Sequence, residues 1–217
     1  MKIVNFNESN SVLNQFVLEL RSKQIQGDKL RFRENVHRIG QMMAYEISKT
    51  MHYSMKDIET PLGISSISVP DEKLILCTIL RAGLPFHNGF LSIFDDAENA
   101  FVSAYRKYKD NENFEIHIEY IASPRIDGKT LIIADPMLAT GSSMELSYRA
   151  MLTKGHPAHI HIASIIAAEP AIEHIRKVFP DDITTVWCAA VDPELNEHSY
   201  IIPGLGDAGD LCFGEKE

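Results

Sequence analysis

The chain has 217 residues, 45% of them apolar and 24% charged, and carries a formal net charge of −9 from 21 Lys+Arg against 30 Asp+Glu. That composition suits one globular domain with a sizeable core and excludes general disorder. The acidic balance excludes a general nucleic-acid binder, whose affinity would rest on basic patches, so any anion site must be local.

In chain order, Val12, Leu13, Phe16, Val17 and Leu20 recur at helical spacing, as do Val36, Ile39, Met43 and Ile47, which predicts two opening amphipathic helices. Lys73 to Leu80 reads as a buried strand with Arg81-Ala82-Gly83 directly at its end, and Gly83 to Phe94 as a helix. Ala100 to Tyr105 reads as a second strand. Phe114, Ile116, Ile118 and Tyr120 alternate with Glu115, His117 and Glu119, the pattern of a half-exposed strand. Thr130 to Ala134 is a strand, Ser142 to Lys154 a helix, Ile160 to Ala167 a strand, Ala171 to Val178 a helix, and Ile183 to Ala189 the last strand. The stretch Ile201 to Asp210 is too rich in Gly and Pro for a regular element. Strands alternating with helices predict an α/β fold, a mostly parallel twisted sheet with helices on both faces. A single domain is expected, with N-terminal helices at about 10–52, a core at about 70–190 and a C-terminal loop region at about 198–217.

Cys77, Cys188 and Cys212 lie far apart without a CxxC pair, which fits a reducing compartment better than a disulfide framework. Met1 to Glu8 lacks the apolar stretch of a secretory signal, and the apolar stretch near Leu74 to Leu80 is too short to span a bilayer. The expected location is cytoplasmic, with no membrane partner.

The segment Leu131 to Met144 carries the most chemistry. An apolar strand ends in Asp135, and Thr140-Gly141-Ser142-Ser143 then opens a helix. In an open α/β sheet ligands bind there, and such a helix start offers backbone N–H groups to an anion. Asp135 is suited to accept hydrogen bonds from sugar hydroxyls, so the pair reads as a site for a phosphorylated sugar. A capping turn of ordinary kind is the alternative. A nucleoside-triphosphate loop lacks its Lys here, and no GxGxxG is present. Arg81, at a strand end, is placed to fork onto a phosphate or diphosphate, with a surface ion pair as the alternative. Arg106 also follows a predicted strand, in a cluster that otherwise reads as a solvated face.

The tail Gly204-Leu205-Gly206-Asp207-Ala208-Gly209-Asp210 packs three Gly and two Asp into seven residues. Closely approaching backbone suits recognition of a flat base edge, with a flexible terminal loop as the alternative. His156, His159 and His161 form HxxHxH, but no Cys or carboxylate joins them, so structural histidines are favoured and no protein metal site is expected. Ser142 and Ser143 lack a GxSxG elbow, so phosphate ligation is preferred to nucleophilic catalysis.

Together, Glu59-Thr60-Pro61-Leu62-Gly63, Ile79-Leu80-Arg81-Ala82-Gly83-Leu84, Asp135-Pro136-Met137-Leu138-Ala139-Thr140-Gly141 and Tyr200 to Asp210 with Phe213-Gly214 resemble the uracil phosphoribosyltransferase family, within the type I phosphoribosyltransferases, over nearly the full length. The resemblance implies transfer of a phosphoribosyl group to uracil in pyrimidine salvage, giving UMP and diphosphate. It implies catalytic roles for Arg81, Asp135 and Asp207. Arg81, Arg106, Asp207 and the run Asp135, Pro136, Met137, Leu138, Ala139, Thr140, Gly141, Ser142 and Ser143 would bind the phosphoribosyl diphosphate. Ile201, Gly206, Asp207 and Ala208 would read uracil. It also implies Mg2+ bound mainly through the diphosphate, GTP as an activator, and a homodimer or larger homo-oligomer. The chain departs from the family pattern at Pro85-Phe86-His87-Asn88, at Ser142, and at Leu211-Cys212 before Phe213-Gly214. Two rivals remain. One is a UMP- and RNA-binding regulator of the same fold, against which the acidic balance argues. The other is a hypoxanthine or adenine transferase, which would carry two adjacent acids in its loop and lack this tail.

Overall fold

The structure, a computed structural model, describes residues 1–108 and 114–215, with the side chains of residues 104–119 outside the description. Its main sheet has the spatial order β1 (Lys2–Asn5), β10 (Thr184–Asp192), β9 (His159–Ala168), β7 (Thr130–Ala134), β4 (Leu74–Ile79), β5 (Glu98–Tyr108) and β6 (Phe114–Ala122), with the two-residue β8 (Met137–Leu138) added to β9. Neighbours run parallel throughout except β5 and β6. This is the expected α/β fold.

The core follows from period-two alternation in strands covered on both faces. Along β7, Leu131 and Ile133 pack with Met144 and Tyr148 of α4 (Ser142–Leu152) and Ile172 and Ile175 of α5 (Glu169–Val178). Ile132 and Ala134 turn to the opposite face, where they join Leu20 of α1 (Leu13–Arg21), Ile39 and Met43 of α2 (Lys29–Ser48), and Phe86 and Phe90 of α3 (Gly83–Leu91). The two helices α2 and α3 meet through glycines. A Cβ on Gly40 would lie 2.6 Å from the Phe86 carbonyl oxygen, and one on Gly89 would collide with the His37 carbonyl.

Several elements differ from the expectation. The chain begins with the edge strand β1, paired to β10. A hairpin of β2 (Tyr53–Thr60) and β3 (Gly63–Pro70) occupies a region whose serines and charges mask any clean apolar alternation. Glu72 anchors its base, accepting from the His52 backbone N–H at 2.5 Å and from the Thr130 hydroxyl at 2.7 Å. Of the alternation expected in β6, residues 114–119 have side chains outside the description; Tyr120 is exposed and Ile121 packs against the core, and the pairing with β5 shifts register between Ser103 and Ala104.

Beyond β10, which is therefore not the last strand, β11 (Glu194–Leu195) pairs with β12 (Ile201–Ile202). The Gly-rich tail also contains the helix α6 (Ala208–Phe213), against the expectation of no regular element. Asp207 caps this helix, its Oδ1 accepting from the Asp210 N–H at 3.0 Å. Cap chemistry thus outweighs the glycine content. The three cysteines are buried and free. Among the described residues, no helix is long and apolar enough to cross a membrane.

Candidate active site

The strand order reverses between β4 and β7, since the chain leaves β4 toward β5 but leaves β7 toward β9. Ligands in such sheets bind at the carboxyl ends of the strands beside this point. Arg81 follows β4 and Asp135 follows β7, so the topology sets them side by side. A cleft of about 660 Å³ opens there. It is lined by Arg81, by Asp135, Met137, Ala139, Thr140, Ser142 and Ser143, and by Ile201, Gly206, Asp207 and Ala208 from the tail. Three segments, each more than 50 residues from the next, therefore share one cavity.

The β7–α4 loop is stitched to the sheet. The Asp135 N–H donates to the Ala163 carbonyl at 3.1 Å, and the Pro136 carbonyl accepts from Ile165 and Ile166, both at 3.0 Å. Burial pushes the Asp135 carboxyl up to about 7, against the smaller effect of the Met137 N–H donating to it at 3.2 Å. Pro136, Leu138 and Gly141 are buried and do not line the cleft; they shape the loop. Gly141 has φ +81°, and a Cβ there would sit 3.0 Å from His174 Cδ2, so this turn requires glycine. It delivers the chain into α4, whose first-turn amides have no carbonyl partner within the helix. Ser142 and Thr140 bond each other at 2.9 Å through their hydroxyls.

Arg81 is held by the tail. Its Nη2 donates to Asp210 Oδ1 at 2.9 Å and its Nη1 to the Gly214 carbonyl at 3.1 Å. Gly209 leaves room for this clasp, since a Cβ there would lie 3.3 Å from Arg81 Nη2 and 3.1 Å from Asp207 Oδ1. Arg81 is the one cationic side chain on the cleft among the described residues. Arg106 lies within β5 rather than after it, and its side chain falls outside the description.

The tail itself is fixed from a distance. Arg21 of α1 donates to both Asp192 oxygens at 2.8 Å and to the Gly204 carbonyl at 2.9 Å, while the Gly204 N–H donates to Asp192 at 2.9 Å. Arg33 adds a bond to the Cys212 carbonyl at 2.8 Å. Sequence reasoning missed Arg21 and Asp192, because nothing in either neighbourhood marks a partner 171 positions away. It also gave no role to Ser199 and Tyr200, which line the cleft. Ser199 has φ +64°, in a turn where Asn196 Oδ1 accepts from the Tyr200 N–H at 2.9 Å; the Asn was the available signal. The histidine cluster is structural at His161, buried in β9 with Nδ1 accepting from the Trp187 indole at 3.1 Å.

A family model for uracil phosphoribosyltransferase matches residues 8–215. The chain is 63% identical over 216 residues to the uracil phosphoribosyltransferase of Porphyromonas gingivalis, with both chains fully covered. It is 37% identical over 215 residues to that of Sulfolobus acidocaldarius, covering 95% of this chain and 97% of the relative. Among solved structures, the AQ2163 protein from Aquifex aeolicus superposes with a TM-score of 0.84 at 31% identity, covering 98% of each chain. A hypoxanthine phosphoribosyltransferase from Staphylococcus aureus, at 14% identity and a TM-score of 0.50, covers 75% of this chain and 76% of its own and shares the fold alone. The chain belongs to the uracil phosphoribosyltransferase family.

Proposed function

We propose that the chain joins uracil to 5-phospho-α-D-ribose 1-diphosphate, giving UMP and diphosphate by direct displacement at the anomeric carbon. One observation carries this reading: a single cleft unites an arginine, a lone carboxylate at a strand end, a helix N-terminus and a glycine-rich backbone. Helix amides and Ser142-Ser143 suit the 5-phosphate. Asp135 suits the ribose hydroxyls, Arg81 the diphosphate, and Ile201, Gly206, Asp207 and Ala208 a flat pyrimidine. Arg106 is proposed as a further diphosphate contact. As N1 of uracil bonds to the anomeric carbon, the bond to diphosphate breaks and the N1 proton is released. No covalent intermediate is needed, so the chain works by positioning and by stabilising charge.

The donor set fits a magnesium ion that arrives on the diphosphate. Asp135 and Asp207 are the carboxylates on the cleft, and no group of three His, Cys, Asp or Glu is poised for a metal among the described residues. Mg2+ commonly keeps substrate phosphates and waters as its main ligands. When bound it would offset negative charge on the leaving diphosphate.

We further propose self-association, cytoplasmic residence and activation by GTP. The hairpin supports self-association, since Leu62 is 100% and Ile64 79% exposed beside exposed Met55, Ile58 and Ile67. The decisive experiment mixes purified protein, labelled uracil, phosphoribosyl diphosphate and Mg2+, and looks for UMP, with and without GTP. Absence of UMP would refute the reading.

A further inference from the structure

The Asp135–Ser143 loop is backed by a second helix whose contribution neither the motif nor the fold explains. Glu145 stands in the first turn of α4, its N–H donating to the Gly141 carbonyl at 2.9 Å. Its carboxylate, largely shielded, accepts from His174 Nε2 of α5 at 2.7 Å and from Arg149 Nε at 2.9 Å. Burial pushes this carboxyl up, but the hydrogen bonds from His174 and Arg149 outweigh it and hold it below the ordinary range. An ionised carboxylate only accepts, so His174 Nε2 carries the hydrogen. The His174 ring also lies against Gly141, where an added Cβ would be 3.0 Å from Cδ2 and 3.4 Å from the His174 Cβ.

These contacts meet at one place for a reason. A helix N-terminus stabilises any anion near it, and Glu145 is an anion in the same turn that is to receive a phosphate. Two anions at one helix end repel, the more so where solvent is partly excluded. Arg149 takes one carboxylate oxygen and His174 the other.

We propose that His174 is a positioning residue for the donor's 5-phosphate: it occupies the Glu145 carboxylate and holds the left-handed Gly141 turn, so that the α4 amides face the phosphate. This rests on reading the Asp135–Ser143 loop as the 5-phosphate cradle.

The test compares wild type with His174→Ala, His174→Gln, Glu145→Gln and the double variant His174→Ala/Glu145→Gln. KM for each substrate and kcat are measured, with calorimetric binding of ribose 5-phosphate as a readout independent of turnover. His174→Ala raises the donor KM and weakens ribose 5-phosphate by about tenfold, a usual coupling for one charged hydrogen bond, while uracil KM and kcat stay unchanged. His174→Gln keeps a donor toward Glu145 and restores most of the loss. The double variant binds the donor better than His174→Ala, because the carboxylate left with one unpartnered oxygen beside Arg149 is gone. Glu145→Gln alone leaves the donor KM unchanged or lower, which keeps the proposal testable if His174→Ala fails to fold. An unchanged donor KM in His174→Ala overturns the proposal, as does an equal loss for both substrates, no rescue by Gln, or a double variant worse than either single one. A wild type that binds ribose 5-phosphate but makes no UMP would defeat the transferase reading alone.

Discussion

The two halves of the cleft are built in opposite ways. The Asp135–Ser143 loop is held by its own neighbours: β7 before it, α4 after it, β9 bonded alongside through the Pro136 carbonyl. The tail around 199–214 has less local support: the short β11–β12 pairing, the Asp207 cap, and Ile201, Leu205, Ala208 and Cys212 packed into the core. Arginines elsewhere in the chain fasten it further: Arg21 through Asp192 and Gly204, Arg33 on the Cys212 carbonyl, and Arg81 on Asp210 and Gly214. One half is a local motif and the other a long-range assembly. Damage to the first should therefore be read at the phosphoribosyl donor, and damage to the second at the base.

The largest effect should come from the residue that belongs to both halves. Arg81→Ala removes the one described cation of the cleft and releases the tail; a fall in kcat of about 10²–10³ is expected, the scale of losing one charge-stabilising donor. Steady-state UMP formation measures it, and an unchanged kcat would break the assignment. Next, Arg21→Ala leaves Asp192 buried without its cation, a change that costs about 3–5 kcal/mol when a buried pair is broken. Arg21 is 22% exposed, so the lower end applies. Uracil KM should rise while donor KM does not; equal rises would erase the division drawn between the halves. Gly141→Ala should do the reverse, at about 1–3 kcal/mol for a non-glycine residue forced into a left-handed turn, read as a lower Tm and a higher donor KM.

The smallest effect is a pH dependence confined to the donor half. The Asp135 carboxyl is raised from 3.8 to about 7, so the free protein binds its proton more tightly than the unfolded chain does. The stability it contributes is full below pH 3.8 and is lost as pH rises to about 7. Asp135→Asn, which stays neutral, should therefore gain Tm over wild type above pH 7, with the gain vanishing toward pH 4. Ribose hydroxyls donate to the ionised form, so as pH falls below about 7 donor binding should weaken more steeply in wild type than in Asp135→Asn, where the donor's own phosphates, with a second pKa of about 6, still titrate. A wild-type profile no steeper than that of Asp135→Asn would remove the carboxylate from the donor's contacts.

The same division explains what was legible in the sequence. Thr130–Ala134 and the start of α4 at Ser142 were readable to the residue, because an apolar run, an acid and a Thr-Gly-Ser-Ser helix start are all local signals. That the tail lies against this loop was legible only through resemblance to a family. The helix Ala208–Phe213 was hidden by its glycine, although Asp207 was a cap in plain view. Hairpin β2–β3 was hidden by its serines and by apolar residues left exposed. The register shift at Ser103/Ala104, beside the exposed Tyr120, has no mark in either strand taken singly.

The glycine contact between α2 and α3 has a mechanical consequence. Backbone meets backbone there, with the Gly40 site hard against the Phe86 carbonyl and Gly89 against that of His37. At these two glycines the helices cannot slide past one another by rotamer changes, because backbone abuts backbone. Since α3 begins two residues after Arg81, α2 acts as a rigid mount for the arginine's strand end.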